Sequence, residues 1–501
     1  MKILFYNWVD YLDAEGRGGG VSIYQRNLMT ALDDAEGVEA HFLSSGLSHD
    51  LRRGKPRWEP VRHGPLTDRA RRFEIVNSGV LSPSHHSFGD PAQTDHAGTE
   101  AVFHDFISTN GPYDVVHFNN LEGLPAAVLA LKERWPETRV VLSLHNYYPF
   151  CPQVNLWRQE RQSCDDYAEG QHCATCLPSQ HNPGMLRLSH GVSYRLKRAG
   201  VPPGSRLFNA VFRVLRITAG VLRRTKGRAP RRFRRPGQLQ PVAPPNGAPF
   251  AARRARMVDL INRHCDDVLC VSDAVRMLAE RYGLHPSLCQ TSYIGTREAH
   301  EYGSTAPKVI PSAPDGTWTL GYLGYMRRDK GFYFLLQALE TLPPDLAGRL
   351  RLLLAARRGD QVTMDRVTDL SAHLAEVEYA NGYGHDDLDR LLARVDVGVL
   401  PVLWHDNLPQ VAIEMHARHI PLLTSDLGGA RELANCPDMV FPAGDIAAFQ
   451  ARIKALLDGK IDMAAYWRGA RPPVSMARHV DALLRIYGAS EPSSRARTNG
   501  L

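Results

Sequence analysis

No stretch of the 501-residue chain approaches the roughly 18 to 20 uninterrupted apolar residues that a membrane-spanning helix needs. The opening run Lys2-Ile3-Leu4-Phe5-Tyr6-Asn7 is too short for the apolar core of a signal peptide. Both absences lead us to expect a cytoplasmic protein that starts directly with a β-strand. Cysteine is scarce, with 8 residues, which excludes a disulfide-stapled scaffold; in a reducing compartment a local cluster indicates a metal site or buried packing. A third absence is confined to one region. From Gly170 through Val258 there is no Asp or Glu, while Lys and Arg are frequent. The formal charge of +7 therefore comes from that segment, and the rest of the chain is mildly acidic.

The length exceeds what one hydrophobic core usually serves, so two domains are expected. Short β-rich runs alternate with helical patterns, which points to parallel sheets covered by helices on both faces. In the first half the runs are Lys2 to Asn7, Val38 to Ser44, Val115 to Asn119, Val140 to His145 and Val268 to Ser272; in the second they are Thr317 to Gly324, Leu350 to Ala355, Val377 to Tyr383, Val397 to Val402 and Pro421 to Ser425. A Pro, Gly and Ser-bearing stretch from Tyr302 to Gly316 reads as the linker. The expected organisation is an N-terminal domain over 1–301, a linker over 302–316, a C-terminal domain over 317–470, a helix in 471–490 crossing back to the first domain, and a tail over 491–501. Within the first domain we expect a Cys-rich loop at 151–177 and a basic helical insertion at about 180–255. Ligands in such sheets bind beyond the carboxyl ends of the strands, so the loops there carry the candidate residues.

After the first run comes Gly16-Arg17-Gly18-Gly19-Gly20, followed by apolar positions at helical spacing from Val21 to Leu28. Glycines opening a helix let the backbone approach a phosphate and present free N–H groups at the positive end of the macrodipole; a surface turn would look the same. A dinucleotide site would want an acidic residue closing the next strand, where Ser44-Ser45 stand. The second half carries Asp406-Asn407-Leu408-Pro409-Gln410-Val411-Ala412-Ile413-Glu414, then Asp426-Leu427-Gly428-Gly429-Ala430-Arg431-Glu432.

This combination resembles the retaining family 4 glycosyltransferases of the GT-B fold, which have two facing Rossmann-like doubly wound domains. Further matching pieces are Gly18-Gly19-Gly20-Val21, His145, Val271-Ser272-Asp273, Gly324 to Lys330-Gly331, and Gly382-Tyr383 before Asp386-Asp387-Leu388. The likeness covers nearly the whole chain except about 180–255. It implies that Glu414 accepts from the ribose hydroxyls of a nucleotide sugar, that Asp406 and the backbone at Asn407 and Leu408 face the donor sugar, and that Lys330 neutralises the leaving phosphates. Gly19 and Gly20 would approach the diphosphate from the other domain, and His145 would touch the sugar beside the reacting carbon. Carboxylates suit diols, and cations with helix N-termini suit a diphosphate. The implied chemistry is same-face transfer in which the leaving phosphate takes the acceptor proton, with no catalytic metal or general base.

Two positions depart from the family. Asp406 stands where Glu is usual, which opens the identity of the donor. Tyr325 follows Gly324 where Arg is frequent, and Arg327 or Arg328 would have to reach back to the donor, unless both are solvated loop charges.

Cys151, Cys164, Cys173 and Cys176 fall in one short segment ending in a Cys-x2-Cys knuckle. Four thiolates suit a closed, tetrahedral structural zinc, with His172 as a substitute ligand; two disulfides or buried free thiols are the alternatives. In the acid-free segment, Leu207, Phe208, Val211, Phe212, Leu215, Ala219 and Leu222 recur at helical spacing among Arg206, Arg213, Arg216, Arg223 and Arg224, and a basic run continues to Arg235. An apolar stripe beside a basic band fits an interfacial helix on anionic lipid, which would hold the protein peripherally on the inner face of a membrane. No nucleic-acid module is visible, and a solvated insertion is the other reading. The expectation is an enzyme moving a hexose-type sugar from a UDP- or GDP-sugar to a saccharide or lipid-linked acceptor in surface polysaccharide or glycolipid synthesis. The alternatives are a GT-B nucleotide-sugar epimerase and a non-catalytic membrane or nucleic-acid binding protein.

Overall fold

The computed structural model describes residues 1–177, 182–226, 246–308 and 310–488. The expected tail over 491–501, the basic run from Gly227 to Arg235 and the centre of the expected insertion lie outside the described residues.

Two sheets organise the chain. The first contains β1 (Lys2–Tyr6), β2 (Glu39–Ser48), β3 (Arg57–Pro60), β4 (Arg72–Val76), β5 (Val115–Phe118), β6 (Arg139–Leu144), β9 (Asp267–Cys270) and β10 (Cys289–Thr291), in the spatial order β10-β9-β6-β5-β1-β2-β4-β3. A small ribbon, β7 (Trp157–Arg158) with β8 (Gln162–Ser163), stands apart. The second sheet contains β11 (Trp318–Gly324), β12 (Leu350–Ala356), β13 (Glu376–Asn381), β14 (Val397–Leu400), β15 (Leu422–Ser425) and β16 (Val440–Phe441), ordered β13-β12-β11-β14-β15-β16. Every pairing within the two sheets is parallel except β3 with β4.

Parallel strands are buried on both faces, which is why they read as continuous apolar runs; Ile3, Leu4, Phe5 and Tyr6 of β1 are all at most 1% exposed. Register aligns the strand ends. Tyr6 pairs with Leu43 and Phe118, and Gly324 with Ala356, itself beside Asn381. The loops that follow therefore open together on one edge of each sheet.

The hairpin of β3 and β4 was not foreseen in the sequence. Arg72 and Glu74 disguise β4, yet all five of its residues are buried. Arg72 is paired with Asp10 at 3.0 Å and donates to the His63 carbonyl, while the Ser48 hydroxyl donates to Glu74. Satisfied charges are tolerated in a core that free ones would break.

Six helices matter below: α1 (Gly19–Leu32), α2 (Pro183–Arg198), α3 (Arg206–Lys226), α4 (Asp273–Arg281), α5 (Gln410–Ala417) and α6 (Met476–Ile486). The acid-free segment thus supplies α2 and α3, and α2 lies on the first sheet through the Tyr194 and Arg198 contacts to Glu59. The last helix, α6, packs on α1. Its approach is fixed where Thr296 N donates to the Val474 carbonyl at 2.8 Å, beside Gly295, whose added Cβ would meet His479 Cβ at 2.7 Å.

Gly331, at φ 72°, begins the helix after β11, and a Cβ there would lie 1.6 Å from the Pro401 carbonyl oxygen. Gly37 has a similar φ of 73° with nothing within 4 Å. Gly37→Ala should cost about 1 kcal/mol through backbone strain alone, and Gly331→Ala clearly more, because main chain must also move. Urea midpoints of the two variants measure the difference; equal shifts would show that the Pro401 contact carries no energy.

Candidate functional site

A cleft of about 700 Å³ lies between the two sheets, walled on one side by Gly19, Gly20, Ser22, Tyr24, Arg26, His145 and Val271, and on the other by Gly324, Tyr325, Lys330, Arg357, Tyr383, Trp404, Asp406, Asn407, Leu408 and Glu414. The turn before α1 is capped by Gly18, which offers no side-chain acceptor. The first amides of the helix are left for a ligand in the cleft. Gly19 takes φ 54°, and a Cβ on Gly20 would touch the Gln410 side chain at 3.0 Å. Glycine here lets the two walls come together.

On the far wall, the loop leaving β14 is held from beneath by the diglycine after β15. A Cβ on Gly428 would lie 2.0 Å from the Asp406 carbonyl oxygen, and one on Gly429 2.3 Å from that of Asn407. Gly429 N donates to Asp406 O at 3.0 Å, and the Ser272 hydroxyl, from the other domain, donates to Asn407 O at 2.8 Å. The carboxylate of Asp406 is thereby fixed toward the cleft. Lys330 Nζ holds its Oδ2 at 2.5 Å and sits 5.0 Å from the Trp404 ring centre.

Glu414 is one turn into α5 and 7% exposed. Burial, reinforced by the Glu298 carboxylate and opposed by Arg418 and Arg297, raises its pKa to about 7. Arg418 is committed to Glu298, Asp389 and the Glu414 carbonyl. His145 follows β6, with Nε2 at 3.3 Å from Asn119 Oδ1. Burial, then His479, lowers its pKa to about 3, so the imidazole is neutral at pH 7.

Of the residues singled out in the sequence, His145, Lys330, Asp406, Asn407, Leu408, Glu414, Gly19 and Gly20 meet in this one cleft. Arg327 and Arg328 do not. Arg327 is bound to Asp329 at 2.8 Å, and Arg328 lies over Tyr333 at 5.9 Å from its centre. The cations in the wall are Arg26 and Arg357 together with Lys330. Arg357 follows the last residue of β12, so the rule of strand ends would have found it; Arg26, on the face of α1, carries no such signal.

The four cysteines surround one cavity of about 10 Å³ with His172. Among the described residues no group of three His, Cys, Asp or Glu side chains is placed to hold a metal ion. The polar contacts of the cysteines are drawn elsewhere. Cys176 Sγ donates to Gln153 Oε1 at 2.9 Å and Cys164 Sγ to the Asp166 carbonyl at 3.6 Å, while His172 Nδ1 lies 2.8 Å from that same carbonyl. Burial raises the Cys164 thiol to about 11 and Cys173 to about 12.

The Glu414 shift has a consequence for stability. Between about pH 4.5 and 7 the folded protein keeps a proton on this carboxyl that the unfolded chain has lost, so stability falls as pH rises through that window. Glu414→Gln, which never ionises, should match wild type at pH 4.5 and exceed it by about 1–3 kcal/mol at pH 8. Melting temperatures across the range test this; a constant difference would remove the raised pKa.

Residues 317–459 match the family model described as Glycosyl transferases group 1. Among curated proteins none matches the chain. Several solved structures share its fold over almost their full lengths. Sucrose-phosphate synthase from Thermosynechococcus elongatus has 16% identity and a TM-score of 0.50, covering 97% of this chain and 96% of its own. Anabaena HepE in complex with UDP has 13% identity and a TM-score of 0.50, covering 97% and 95%. The α,α-trehalose 6-phosphate synthase from Burkholderia multivorans has 14% identity and a TM-score of 0.52, covering 97% and 96%. Two α/β sheets face each other across the cleft in the GT-B fold, and the second of them lies within the residues that match the group 1 glycosyltransferase model.

Proposed function

We propose that the chain is a retaining glycosyltransferase of family 4 type, moving a hexose-type sugar from a UDP- or GDP-sugar to a saccharide or lipid-linked acceptor. One observation carries the reading. Lys330, Asp406 and Glu414 share a cleft with His145 and with the uncapped start of α1. The solved structure of HepE with UDP and glucose, at 14% identity, supports the choice of ligand class by its fold.

In this reading Glu414 takes the ribose diol, while Arg26, Arg357 and the α1 amides hold the diphosphate. Lys330 begins paired to Asp406. The diphosphate draws the ammonium toward itself and frees the Asp406 carboxylate for a sugar hydroxyl. As the glycosidic bond breaks, charge grows on the leaving phosphate, Lys330 stabilises it, and the phosphate accepts the acceptor proton on the same face of the sugar. Neutral His145 borders the sugar as a hydrogen-bonding group.

The test is acceptor-dependent transfer after a thermal-shift screen of nucleotide sugars, since a bound donor raises stability by mass action. Lys330→Ala should lower kcat on the order of 10²–10³-fold while the affinity for bare nucleotide changes little. A loss confined to affinity would make Lys330 a clamp only. Glu414→Ala should instead lose nucleotide affinity, because it strands a ribose diol.

A lipid-linked acceptor agrees with α3. Leu207, Val214 and Ile217 are 57%, 58% and 60% exposed beside Arg206, Arg213 and Arg216, and the helix carries no acid. Each basic residue at an anionic surface adds on the order of 1 kcal/mol. Vesicles containing phosphatidylserine should sediment the wild type more than a variant with these three arginines changed to Gln, and the difference should shrink at high salt. Equal sedimentation would dismiss the membrane.

A further inference from the structure

Tyr24 stands in the cleft wall one turn into α1, with its ring centre 5.0 Å from that of His145. Its hydroxyl turns away from the cleft and reaches His479 Nε2 on α6 at 2.8 Å, a contact spanning 455 positions of sequence. The two rings also meet edge to face at 5.5 Å. Tyr24 is 2% and His479 3% exposed, so this bond has no competition from bulk water.

The Tyr293 backbone lies beside the His479 ring and favours its protonated form, against the larger effect of burial. Burial keeps the phenol protonated and the imidazole neutral. Tyr293 is anchored in turn, its hydroxyl donating to Glu432 Oε2 at 2.7 Å, and Glu432 accepts from the Asp273 and Ala274 amides at the start of α4. Polar contacts thus tie Tyr293, beside His479, to the junction of the domains.

We propose that His479 is a positioning residue which, through Tyr24, sets the orientation of His145 and the seat of α1 at the cleft. A ring packed against the imidazole of His145 on one side and hydrogen-bonded to a buried histidine on the other cannot swing. Without His479, Tyr24 would hold a buried hydroxyl unpaired, and it would turn to find a partner in the cleft. His145 and the first turn of α1 would then lose their stop. Small displacements of groups around a reacting centre cost rate far more than they cost binding.

The inference leans on the glycosyl-transfer reading only for its kinetic arm. Full-length wild type, Tyr24→Phe, His479→Leu, His479→Gln and the Tyr24→Phe/His479→Leu double variant are compared, each first shown to be folded by its melting transition. In protein labelled with ¹⁵N-histidine, the His145 ring signals, assigned with His145→Gln, should shift or broaden in Tyr24→Phe and His479→Leu. They should return toward wild type in His479→Gln, whose amide can still bond to the phenol. With a transferring donor, kcat should fall about 10- to 100-fold in Tyr24→Phe and in His479→Leu but much less in His479→Gln, nucleotide Kd should stay within about twofold, and the double variant should be no worse than these two singles. His145 signals identical to wild type in both single variants would overturn the proposal, as would additive losses of kcat in the double variant. Shifted signals in a protein that transfers no sugar would uphold the positioning and overturn the proposed function instead.

Discussion

The far wall of the cleft rests on main chain packed within the second domain at van der Waals limits. Gly428 and Gly429 pass beneath the Asp406 and Asn407 carbonyls with no room for a Cβ, and Ser272 reaches the Asn407 carbonyl from the opposite domain. Almost every feature of the cleft follows from this. The loop that carries Asp406 cannot rise, so its carboxylate meets Lys330. The start of α4 falls under the Glu432 carboxylate, where two amides satisfy it and the helix dipole favours it. Close contact through backbone is steep and short-ranged, and it fixes position more sharply than side chains could.

Within that frame, several charges are answered in the free protein. Lys330 has Asp406, Arg327 has Asp329, and Arg418 has Glu298 and Asp389. Glu414 is not among them: burial and a like charge hold its proton to about pH 7. A group whose ionisation the fold opposes is one whose charge a ligand can restore, and such groups gather where ligands bind.

The buried parallel strands were legible because both faces are covered, leaving apolar runs with little ambiguity. β4 was not, since Arg72 and Glu74 look solvent-bound until Asp10 and Ser48 are placed beside them. The spacing from Asp406 to Glu414 across a loop and one helical turn was readable because both residues belong to one contiguous segment. For Arg327 and Arg328 the sequence left open a reach to the donor or a solvated loop; in the free protein the one pairs with Asp329 and the other lies over Tyr333. Tyr24, Arg26 and Trp404 sit on faces whose direction only the assembled domains define. The cysteine spacing brought four thiols round one cavity, but spacing says nothing of where each sulfur turns.

The return of α6 to the first domain also bears on how the chain folds as it is made. His117 sits in β5 at the centre of the first sheet, and its Nδ1 is answered by the hydroxyl of Tyr487, 370 positions later. Tyr24 likewise waits for His479. The first domain can collapse as it leaves the ribosome, yet two polar groups in its interior lack partners until nearly the whole chain has emerged. At about 5–20 residues per second, that interval lasts on the order of tens of seconds. During it the nascent domain presents an uncovered groove on α1, and the final helix acts as the closing stave of a structure otherwise assembled.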